Sequence, residues 1–116
     1  MGHSLDSMLS SVREYQKQVR GVDFNRLMPS ERVALLRNYA LALVIEQAEF
    51  LDEANWKPWG YVIQKEVNRE KALDEWCDMQ VFLLDQALCM GFTATELSNA
   101  FEKVMIKNAN RGDIKQ

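Results

Sequence analysis

Glycine and proline cut this chain into four long stretches, and that punctuation limits its fold more than any other feature. Gly21 closes the first stretch and Pro29 opens the second. Pro58 and Gly60 close the second, and Gly91 divides the third from the fourth. Between the breaks, apolar residues recur every three or four positions, as on one face of a helix. There is no alternating β-branched run and no Asn-Gly hairpin turn. The spacing predicts a first helix over about residues 4–20, with Leu5, Met8, Leu9, Val12, Tyr15 and Val19 inward. A second runs from Ser30 as N-cap, with Glu31 in its first turn, to about Asn55. It carries Val33, Leu36, Ala40, Leu43 and Val44. A third spans about residues 62–90, with an interruption near Asn68. Thr93 and Glu96, at capping-box spacing, start a fourth that ends near Asn110. Short connections between four such helices give an all-α, four-helix bundle-like domain.

The 116 residues suit one compact domain, with residues 1–4 read as an appended leader. A formal charge of -3 argues against a surface that coats a nucleic-acid polymer. No apolar run approaches the roughly 20 residues needed to cross a bilayer. The first residues lack the basic and apolar regions of a signal peptide. The expectation is a cytoplasmic protein without membrane partners. Cys77 and Cys89 lie 12 residues apart in one predicted helix, about 18 Å along its axis, too far for a disulfide. Both read as reduced core residues. His3 is the sole histidine, which excludes histidine-based zinc sites and Ser-His or Cys-His nucleophiles.

The chemistry lies in the acidic residues. Glu46 and Glu49 are three apart in the second helix, and Glu75 and Asp78 repeat the spacing in the third. Each pair therefore shares one helix face. Acidic pairs are common on solvated faces, but these sit among Val44, Ile45, Phe50 and Leu51, and among Leu73, Trp76, Met79 and Phe82. Neither pair has a basic residue four positions on. If the helices pack side by side, four carboxylates converge and repel. A divalent cation relieves that repulsion, and oxygen-only donors favour Mg²⁺, with Mn²⁺ as substitute. Glu53, one turn after Glu49, is a ligand, an orienting group or a solvated residue.

The pattern E46-x-x-E49 with E75-x-x-D78 resembles the metal-binding signature of the all-α nucleoside triphosphate pyrophosphatases. That superfamily includes MazG-like enzymes, dimeric dUTPases and dCTP pyrophosphatases. "EFLDEANWKPW" and the terminal "KNANR" extend the likeness over about residues 39–111. Lys57-Pro58-Trp59-Gly60, without further lysine after the tryptophans, and the short chain place it nearer compact MazG-like or dCTPase-like members. The resemblance implies a MazG-type fold and Mg²⁺-dependent hydrolysis of a nucleoside triphosphate to monophosphate and pyrophosphate. A deoxypyrimidine such as dCTP or dUTP is the implied substrate, in nucleotide-pool house-cleaning. Glu46, Glu49, Glu75 and Asp78 would hold the metal, with Glu49, or alternatively Glu46, accepting a proton from water.

Trp56 and Trp59 offer a stacking wall for a base, or else close the core or a subunit interface. Asn38, eight residues before Glu46, can read a base edge, with Tyr39 as a weaker candidate. Lys107, Asn110 and Arg111 share a face near the end of the last helix. Cations there complement the helix dipole; the resemblance suggests triphosphate contacts instead, with Lys57 as another. "VFLLDQALCMGF" is apolar nearly all round, which points to a subunit interface. The resemblance implies a homodimer, or a tetramer of two dimers. Two other readings compete: a non-enzymatic helical interaction domain with an acidic face, and a di-iron bundle, which the lack of internal histidine disfavours.

Overall fold

The computed structural model describes residues 3–54 and 66–115. Four α-helices and one 3₁₀ turn follow in order: α1 (Leu5–Arg20), the turn Phe24–Arg26, α2 (Pro29–Asp52), α3 (Arg69–Met90) and α4 (Ala94–Lys115). The described residues include no strand, so the all-α expectation holds. None of the described helices is long and apolar enough to cross a membrane.

The caps explain the boundaries. Ser4 caps α1: its Oγ accepts from the Ser7 N–H at 3.1 Å. Gly21 and Gly91 end α1 and α3 in the left-handed region, at φ 71° and 74°, where a Cβ is disfavoured. Ser30 is not the cap of α2. Met28 holds that position and Pro29 occupies the first turn, where its missing N–H costs nothing. Glu31 reaches back to accept from the Met28 N–H at 2.8 Å. Thr93 and Glu96 form the reciprocal capping box. The third helix starts at Arg69, at the expected interruption near Asn68, whose side chain accepts from the Lys71 N–H; residues 62–65 of the expected stretch lie outside the described residues. The last helix runs on past Asn110 to Lys115.

α2 and α3 form the principal pairing. Two contacts show that they run antiparallel. Near one end Arg32 donates from Nη1 to the Cys89 carbonyl at 3.1 Å; beyond the other, Lys71 pairs with Glu53 at 3.2 Å. α1 packs against α3, and the core gathers at that end from Leu9, Val12, Phe24, Leu84, Ala87, Leu88 and Cys89. Two α1 residues expected inside, Tyr15 and Val19, are exposed, and Gln16 is buried instead. Cys77 is also exposed, so only Cys89 is a core thiol.

α4 touches this body through Ala94 and Leu97. Every residue from Ser98 to Arg111 is exposed, Phe101 by 67%. The radius of gyration of 17.5 Å exceeds the roughly 13 Å of a compact domain this size. The chain alone therefore leaves apolar helix surface open.

Candidate functional site

The antiparallel register of α2 and α3 decides which acidic residues meet. Counted between the two end contacts, Glu49 falls level with Glu75, and Glu46 with Asp78. The electrostatics agree. Partial burial, then the charge and hydrogen bond of Glu49, then Asp78 and Glu75, hold the Glu46 carboxyl above its ordinary range. Glu75 is likewise pushed up by burial, then by Glu53, Glu49 and Asp52, against the opposing pull of Lys71. Glu46 is thus coupled electrostatically to the other three carboxylates of the two acidic pairs. Glu53 is neither simply solvated nor spare, because Lys71 holds it across the helix pair.

The donor set fits a hard divalent cation. It is all oxygen, its members repel one another, and the Glu75 Oε2 is a buried atom with no hydrogen-bond partner among the described residues. These side chains are not yet closed into a cage: among the described residues no three acidic or thiol donors converge as metal ligands.

Beside this cluster, a cavity of about 850 Å³ lies between α1, α2 and α3. Glu46 and Asp78 stand at its acidic end. Tyr39 and Phe82 line its wall, their ring centroids 6.5 Å apart and tilted by 33°. Asn38 lines it too but is exposed. Asp85 and Gln16 line it as well, and both are buried. Gln16 Nε2 donates to Asp85 Oδ1 at 3.1 Å. Burial pushes the Asp85 carboxyl up to about 6, although the Gln16 hydrogen bond opposes the shift. Burial, then the charges of Asp85 and Cys89, push the Tyr39 hydroxyl up to about 12, with Arg20 pulling the other way.

The comparison with protein families decides the lineage: the dUTPase family model matches residues 4–114. The chain belongs to the dUTPase family. Its general activity is that of a nucleoside triphosphate pyrophosphatase. No curated protein and no solved structure matches the chain.

In this dUTPase-family chain the other expected site residues fall in two groups. Trp56, Lys57 and Trp59 lie outside the described residues. Lys107, Asn110 and Arg111 are exposed on α4, and none of them lines the cavity. Sequence reasoning passed over Asp85, Gln16 and Arg20. The signal for Asp85 was present: a lone acid inside an apolar run, seven residues after Asp78 and hence near the same helix face.

Proposed function

We propose that this chain is a Mg²⁺-dependent pyrophosphohydrolase of deoxypyrimidine triphosphates, dCTP or dUTP, that cleans the nucleotide pool. One observation carries the reading. Glu46 and Asp78, one from each acidic pair on the facing helices, line a cavity that is elsewhere aromatic and polar, and Glu46 is coupled electrostatically to Glu49 and Glu75. A nucleotide has the same polarity, with anionic phosphates at one end and a flat, hydrogen-bonding base at the other.

Glu46, Glu49, Glu75 and Asp78 would hold the metal, and Mn²⁺ can substitute. When bound, the cation supplies neutralisation of phosphate charge and orientation of a water. The residues do the rest. Glu49 accepts the proton of the attacking water, with Glu46, one helical turn before it, as alternate. Asp78 and Glu75 hold the opposite wall. Lys71, paired with Glu53, keeps the ends of α2 and α3 together and so fixes the spacing of the pairs. Tyr39 and Phe82 line the nucleoside part, Asn38 stands at its rim, and Trp56 and Trp59 supply further stacking. Lys57, Lys107, Asn110 and Arg111 serve the triphosphate. A homodimer, or a tetramer of two dimers, covers the apolar faces of α2, α3 and α4, including Leu41, Val44, Phe101 and Ile106, each at least half exposed. The protein is expected in the cytoplasm.

Glu49→Gln and Asp78→Asn test this reading. Each removes one ligand charge with little change of shape. Turnover should fall by about 10² or more while the helical circular dichroism stays unchanged. Near-wild-type turnover in both would remove the acidic pairs from the active site and favour an acidic interaction surface.

A further inference from the structure

The Asp85 side chain is fully buried, with 0% of its surface exposed, yet only half of its carboxylate is satisfied. Gln16 occupies Oδ1; Oδ2 has no partner among the described residues. A carboxyl that merely tied α1 to α3 would gain from satisfying both oxygens, since a bare buried acceptor is costly. This one lines the cavity. It lies two helical turns beyond Asp78, about 10.5 Å along α3 and within roughly 20° of the same face. The acidic end and Asp85 are therefore spaced as a phosphate site and a base site on one ligand.

We propose that Asp85 and Gln16 together read the edge of the pyrimidine base. Oδ2 accepts from a ring N–H or exocyclic amino group, and the second N–H of the Gln16 amide donates to the adjacent ring acceptor. The pair offers an acceptor beside a donor. Uracil offers the complement with its N3–H and a neighbouring carbonyl, cytosine with its amino group and N3. The proposal moves base reading from Asn38, exposed at the rim, to a buried pair at the floor. Tyr39 and Phe82 line the same cavity; Tyr39 and Cys89 are the titratable groups coupled to Asp85, and Arg20, which acts on Tyr39, also lines the cavity. With its carboxyl at about 6, Asp85 is ionised at neutral pH and acts as acceptor only. The inference rests on the pyrophosphatase reading and adds to it the residues that choose the base.

The deoxyriboside triphosphate of 2-pyrimidinone is the probe. Its edge carries no N–H, so it lacks the donor of both dUTP and dCTP at nearly the same shape. The full-length wild-type protein is assayed with Mg²⁺ on dUTP, dCTP and the probe, and kcat/KM is compared. A site built to bond an N–H rejects the analogue without it strongly; a loss of roughly 10²-fold or more is expected. Asp85→Asn can turn an N–H toward the probe's N3, so the ratio of better natural substrate to probe should fall by at least about tenfold. Asp85→Ser serves the same comparison if the asparagine variant does not fold. A merely structural Asp85 would change stability and leave that ratio alone. If wild type accepts the probe within about tenfold of its natural substrate, or the ratio stays put in the variant, base reading by Asp85 is overturned while the pyrophosphatase reading stands. No pyrophosphate from any nucleotide overturns both.

Discussion

Replacing Asp85 by asparagine should stabilise this protein at neutral pH, and the size of the gain follows from burial. The carboxyl sits at about 6 in the folded chain against an ordinary 3.8, chiefly because burial penalises its charge. A shift of that size corresponds to about 3 kcal/mol. The sign is the reverse of the usual acidic case. Between 3.8 and 6 the folded protein holds the proton more tightly than the unfolded chain. Wild-type stability contributed by Asp85 is therefore fully present below 3.8, falls as pH rises to about 6, and is flat above. Asparagine is neutral throughout, keeps an oxygen for Gln16 and adds a donor. The variant should gain up to about 3 kcal/mol over wild type near pH 8, or roughly 10 °C in Tm, and the gain should vanish near pH 4. Urea unfolding followed by circular dichroism, at one fixed protein concentration, measures the difference across that range. Glu46 and Glu75 also sit above their ordinary range, so the comparison with the variant isolates Asp85. A pH-independent difference, or a variant less stable than wild type at pH 8, would refute the reasoning.

Two further outcomes follow from the same structure. Millimolar Mg²⁺ should raise Tm more than NaCl of matched ionic strength, because the cluster of Glu46, Glu49, Glu75 and Asp78 is assembled only in the folded chain; equal responses would count against a metal site. Gly91→Ala should lower stability by about 1–2 kcal/mol. A Cβ there meets nothing within 4 Å, so the loss is one of backbone conformation, and Gly91→Asn should lose less; thermal melts of the two variants check this.

The sequence announced the helix breaks and the acidic pairs plainly, because each is a local signal. Gly21 and Gly91 sit at left-handed φ where the punctuation puts them. The capping box at Thr93 and Glu96 forms as the spacing foretells. What it concealed depended on which face of a helix turns inward. In α1 the stripe of Leu9 and Val12 continues through Gln16 rather than Tyr15, because Gln16 has a partner on α3 and an apolar residue there would leave Asp85 bare. Asp85 looked like an interruption in an apolar interface segment; only the packing of α1 and α2 over it makes it the floor of a cavity. The start of α3 at Arg69 meets the expected interruption near Asn68, because the Asn68 cap marks a boundary that apolar spacing alone does not carry. The exposure of Cys77, Val44 and most of α4 could not be read from residue type, since it depends on which helix faces the chain's own core covers.

The central claim is that a nucleotide's phosphates meet the four carboxylates. It is tested most directly by mixing the wild-type protein with dUTP, dCTP and a panel of other nucleoside triphosphates, with Mg²⁺ and with Mg²⁺ chelated, and resolving the products. Pyrophosphate and the corresponding monophosphate should appear in equal amounts, fastest from a deoxypyrimidine and only with the metal. Release of orthophosphate and diphosphate, an undiminished rate after chelation, or no turnover of any nucleotide would contradict the account.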